Sequence, residues 1–73
     1  MRQDSETMPT TLLRLYAVTA RTGLSRSSVY RAIDAGTFPA PVKIGERASA
    51  WSAEEVQAWC TARIKARDAK VAA

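Results

Sequence analysis

Five of the six residues from Arg26 to Arg31 carry guanidinium, hydroxyl or phenol groups, and none of them is acidic: Arg26, Ser27, Ser28, Tyr30 and Arg31. Arginine forms a bidentate pair with guanine O6 and N7, and serine reaches phosphates or base edges. If the segment is a helix, its first turn adds free backbone amides and the positive end of the macrodipole, which suit a phosphate. Two more cations, Lys43 and Arg47, follow within twenty residues. Catalytic chemistry is much harder to assemble. The chain has no histidine, one cysteine (Cys60) and no glycine-rich phosphate loop. It therefore offers no plausible general base, cofactor site or metal cluster, and an enzyme is not expected.

These residues need a helix to present them. Ser25 is a good N-cap, able to accept from the amide of Ser27 or Ser28. The spacing predicts a helix from Arg26 to Ala35 with Val29, Ala32 and Ile33 on its buried stripe. Ser27, Tyr30, Arg31 and Asp34 then fall on or near the opposite side, with Arg26 and Ser28 flanking them. In helix-turn-helix proteins the start of the second helix meets the bases, which points to Arg26, Ser27, Tyr30 and Arg31. Upstream, Leu15 to Thr22 fits a short helix ended by Gly23, and Leu24 fills a tight turn. The segment Leu12 to Leu15 reads either as a brief strand or as the lead into that helix.

After Gly36 the prolines at 39 and 41 exclude helix. Val42 to Ile44 alternates apolar and basic, Gly45-Glu46 supplies a turn, and Arg47 to Trp51 returns, which predicts a two-stranded wing. Phe38 is placed to plug the gap between the helix-turn-helix and that wing. Ser52-Ala53-Glu54-Glu55 has the form of a capping box. It opens a last helix expected to bury Val56, Trp59, Cys60 and Ile64 and to fray after about Arg67. The expected class is mainly α with a small β-hairpin, a winged helix-turn-helix of three helices plus a wing. Residues 1–11 read as a disordered tail, 12–67 as the domain and 68–73 as a frayed end.

Charge supports a polyanionic partner. The net charge is +4, and the segment from Leu12 to Trp51 alone carries +4, six basic residues against Asp34 and Glu46. Such a footprint suits double-stranded DNA. With 73 residues there is room for one small domain. No apolar run is long enough for a membrane span, the polar first residues do not read as a signal peptide, and a reducing cytoplasm is the expected compartment.

Each of these features also has a plainer reading. The outward side of Arg26–Ala35 could be a solvated helix face. Lys43 and Arg47 could contact phosphate or minor groove, or guard a strand edge against aggregation. Trp51 and Trp59 could stack on single-stranded bases, although a chain this short needs them as core. Cys60 reads as a small buried hydrophobe. Glu54 and Glu55, with Lys65 and Arg67, complement the dipole of the last helix.

The run Gly23-Leu24-Ser25-Arg26-Ser27-Ser28-Val29-Tyr30-Arg31, then Gly36-Thr37-Phe38-Pro39-Ala40-Pro41-Val42-Lys43-Ile44-Gly45, then Arg47 and Trp51, resembles the AlpA family. These are small phage- and prophage-associated regulators, similar in fold to excisionases and to the winged helix-turn-helix of MerR-type proteins. The likeness spans about Leu12 to Arg67. It implies transcriptional regulation of an integrated element, or service to an integrase as a recombination directionality factor. It also implies DNA-reading positions at Arg26, Ser27, Tyr30 and Arg31 and, in the wing, at Lys43 and Arg47. Three residues depart from the pattern: Ala17 stands where many relatives place a capping Glu, Glu46 where a basic residue often sits, and Ser49 where an apolar one is common. A protein-interaction adaptor for an integrase or polymerase subunit is the alternative of another class. Cooperative self-assembly on repeated half-sites is expected, because a single module buries only about 600–1,000 Å² on DNA.

Overall fold

The glycines that punctuate the sequence mark the helix ends in space. Gly23 and Gly36 both have positive φ, 76° and 79°, the left-handed region that side-chain-bearing residues avoid. The computed structural model describes residues 11–72. Between and around the glycines lie β1 (Leu12–Leu13), α1 (Leu15–Thr22), α2 (Arg26–Asp34), β2 (Val42–Gly45), β3 (Ala48–Ser52) and α3 (Ala53–Ala72). This is compatible with the expected winged helix-turn-helix of three helices plus a wing, with a three-stranded antiparallel sheet in place of a two-stranded hairpin. Residues 1–10 lie outside the described residues.

Helix α1 starts with little help. Its N-cap position is Arg14, which makes no side-chain cap, and its first turn has no acid. Its end is better held: the Gly23 amide donates to the Thr19 carbonyl at 2.9 Å. Thr22 Oγ1 then donates to the Val18 carbonyl at 2.8 Å and accepts from the Leu24 amide at 3.2 Å. Those bonds fix the turn into α2.

The sheet has order β1-β3-β2, so the wing is more than a hairpin. Leu12 pairs with Ser52 and Leu13 with Trp51, so the first half of the Leu12–Leu15 segment is a short strand, while Arg14 and Leu15 lead into α1. Thr11 belongs to the fold as well, since its carbonyl accepts from the Ala53 amide at 2.8 Å. β2 pairs with β3 through Val42–Ala50 and Lys43–Ser49, then shifts register before Gly45–Ala48. At the start of α3 only one limb of the capping box forms: the Glu55 amide donates to Ser52 Oγ at 3.3 Å. The same Oγ donates to Glu54 Oε1 at 3.4 Å.

Leu13, Val18, Val29, Phe38, Trp51 and Val56 form the core, with Leu24, Ile33 and Trp59 partly buried against it. Both indoles are pinned from within. Trp51 Nε1 donates to the Pro39 carbonyl at 3.1 Å, and Trp59 Nε1 to the Thr37 carbonyl at 2.9 Å. Phe38 is buried and meets Trp59 edge to face at 5.1 Å, filling the gap assigned to it. In α3 two expectations are corrected. Ile64 is 50% exposed rather than buried, and the helix runs to Ala72 instead of fraying near Arg67. The body ends at Cys60, so the 3.6-residue period continues past anything it could pack on.

Candidate nucleic-acid interface

The interface begins at Ser25, whose extended backbone (φ −75°, ψ 163°) turns the chain into α2. The Ser28 amide donates to Ser25 Oγ at 3.1 Å, so the cap falls on the second of the two amides considered from sequence. The hydroxyl chain continues: Ser25 Oγ donates to Ser28 Oγ at 3.0 Å, and Arg31 Nη2 donates to the same Ser28 Oγ at 3.1 Å. Three polar residues spaced by three thus share one helix edge, where side chains three apart are neighbours. The cap is thereby wired to the guanidinium.

Arg26, Ser27, Arg31 and Asp34 are all exposed, and Val29 is fully buried on the other side. The single acid of α2, Asp34, is its last residue. None of Arg26, Arg31, Lys43 and Arg47 pairs with a carboxylate among the described residues. Their charges therefore remain available to an external anion.

Tyr30 and Ser28 sit differently from the simple helical wheel. Tyr30 is 42% exposed, and its ring meets Trp51 edge to face at 6.3 Å and 66°. One side of the ring therefore braces α2 against β3 while the rest faces solvent. Ser28 is half-buried with its hydroxyl engaged on both sides. Its geometry suits holding Arg31 better than reaching outward. Sequence reasoning placed Ser28 among the contact residues and missed this relay, although the Ser25/Ser28/Arg31 spacing was its signal.

On the wing, every residue of β2 is exposed, as are Glu46 and Arg47 in the turn. Lys43 Nζ reaches back to the Glu46 carbonyl at 3.5 Å, a long contact that leaves most of its donors unused. Glu46 lies beside Arg47 at the tip and places one negative charge there. The alternation of the strand puts Val42 and Ile44, both nearly half exposed, on the face opposite Lys43. No group of three or more His, Cys, Asp or Glu residues able to hold a metal occurs among the described residues. Nor is any described helix long and apolar enough to cross a membrane.

A helix-turn-helix with a basic wing is common to many regulators, so the decisive comparison is with sequences. The profile described as "Prophage CP4-57 regulatory protein (AlpA)" matches residues 11–64, which takes in α1, α2, the wing and the packed part of α3. The chain belongs to the AlpA family. A relative, the uncharacterized protein ORF88 of enterobacteria phage P4, is 44% identical over 55 residues, covering 75% of this chain. The chain spans 62% of that relative's length. No solved structure gives a significant match. The AlpA match stops at residue 64, so the last turns of α3 lie beyond it.

Proposed function

We propose that this AlpA-family chain binds double-stranded DNA sequence-specifically and serves as a phage-type transcriptional regulator. In this reading α2 enters the major groove and the β2–β3 wing lies against the adjoining backbone. The observation that carries it is the first two turns of α2. Arg26, Ser27 and Arg31 are exposed there with no acid among them, and Ser28 orients Arg31. Arg26 and Arg31 supply bidentate donors to guanine edges, while Ser27 and the Tyr30 phenol supply adaptable ones. Lys43 and Arg47 neutralise phosphates, or Arg47 enters the minor groove where it narrows.

The test is a mobility shift over a salt series with DNA from upstream of the chain's own operon. Arg31→Ala should weaken binding by about 1–3 kcal/mol and relax base preference at one position. Lys43→Ala should weaken all sequences alike and flatten the dependence of log K on log salt by about 0.9. An Arg31→Ala protein with unchanged affinity and selectivity would remove that residue from the site. The regulator reading is preferred to a recombination directionality factor because the family's description is regulatory. No shift with the chain alone, together with binding to a candidate partner such as an integrase, would instead favour the adaptor role.

A further inference from the structure

Helix α3 has 20 residues, about 30 Å at 1.5 Å per residue, yet it rests on the body only through its first eight, Ala53 to Cys60. Val56 is fully buried and Trp59 and Cys60 are half-buried, whereas every residue from Thr61 to Val71 is exposed. That overhang carries Arg63, Lys65, Arg67 and Lys70 against Asp68, a net charge of +3. Arg67 Nε and Nη2 donate to Asp68 Oδ1 at 3.0 and 2.8 Å, an exposed pair of the kind worth little in water, which a phosphate can replace.

The placement of these charges around the helix is informative. At about 100° per residue, Val56, Trp59 and Cys60 span an arc of about 100°, and Arg63, Arg67 and Lys70 fall within it. Ala58, Ala62 and Ala69 take the opposite side, together with Lys65. A merely solvated helix end would have no reason to put three of its four cations on the azimuth that faces the body. Here the stripe that is apolar over the body turns cationic where the body stops. The stripe is also anchored: Arg63 lies over the Trp59 ring at 5.9 Å, and Trp59 is bonded to Thr37, just past α2. On the other flank, Cys60 Sγ touches the Arg21 carbonyl at 4.0 Å, at the end of α1. The arm thus leaves the body between the end of α1 and the segment that follows α2.

We infer that the overhang of α3 is a second DNA contact, which lays Arg63, Arg67 and Lys70 against phosphates flanking the site read by α2. The inference rests on the DNA-binding reading above. Charge selects the occupant. A second arm carrying the same +3 is repelled, and the exposed Ile64 and Val71 offer far less than the roughly 1,200 Å² of a stable protein interface. A polyanion with regularly spaced phosphates matches cations placed at i, i+4 and i+7.

The full chain carrying Arg63→Gln, Arg67→Gln and Lys70→Gln keeps its helix propensity and alters only exposed side chains, losing at most the contact of Arg63 with the Trp59 ring, so far-UV circular dichroism should be unchanged. Its log K against log salt should flatten by about 2–3 relative to the parent, at about 0.9 for each phosphate no longer neutralised. The single Lys70→Gln variant should show about one third of that, and Lys65→Gln, on the opposite side, none. A triple variant with the parental slope overturns the arm contact while leaving the role of α2 intact. An equal loss from Lys65→Gln also overturns it, because the effect would then be net charge rather than position. A parent chain that binds no duplex overturns both readings.

Discussion

Replacing Trp51 with Phe tests whether the central indole is a strut of the fold. Trp51 is 1% exposed, pairs with Leu13 across the sheet, supports the Tyr30 ring and ties down the Pro39 carbonyl through Nε1. Phenylalanine keeps a ring against Tyr30 but deletes the donor and part of the bicycle. Loss of the hydrogen bond, with the Pro39 carbonyl left unpartnered, costs about 1 kcal/mol. The void left by the smaller ring costs about 1–2 kcal/mol more. The sum of about 2–3 kcal/mol is a large part of the roughly 4–11 kcal/mol available to a domain of this size at ~0.05–0.15 kcal/mol per residue. At about 4–8 °C per kcal/mol, Tm should fall by roughly 8–24 °C. Thermal and urea melts followed by far-UV circular dichroism read this directly, and the urea m-value should not change. A loss under about 1 kcal/mol would refute the strut. Accompanied by lost affinity for single-stranded DNA, it would restore the stacking reading of this indole.

Two further perturbations probe the ends of the helices. Arg14→Asp gives α1 the capping acceptor it lacks and removes a cation from its positive end; a gain of about 0.5–1 kcal/mol in urea melts is expected. Ile64→Gln should leave stability within about 0.5 kcal/mol, as for other exposed positions; a loss above about 1 kcal/mol would show that Ile64 is packed after all.

Much of this fold is written in local signals. Gly23 and Gly36 announced where the helices stop because only a residue without Cβ takes positive φ freely. Ser25 and Ser52 announced where helices start, through hydroxyls three residues ahead of an amide. What escaped the sequence depends on distance along the chain. That Leu12–Leu13 would join β3 as a third strand could not be read from two leucines, since the pairing spans forty residues. The limit of burial along α3 was likewise invisible, because periodicity records which side faces inward and says nothing of where the body ends. For the interface, residue types near Ser25–Arg31 gave the right cluster. The division of labour within it, with Ser28 holding Arg31 and Tyr30 leaning on Trp51, required coordinates.

The pairing of Leu12 with Ser52 also bears on how the chain is made. The contacts between α1 and α2 are close in sequence and need no residue beyond Asp34. The sheet must wait for its last strand: at about 5–20 residues per second, ribosomes deliver Ser52 roughly 2–8 s after Leu12. During that interval Leu13 lacks its partner strand, and Trp51, the residue it will meet, is the last large side chain of the sheet to be added. Closure of the sheet therefore cannot precede synthesis of the wing's return strand, a dependence that the α1–α2 pair does not share.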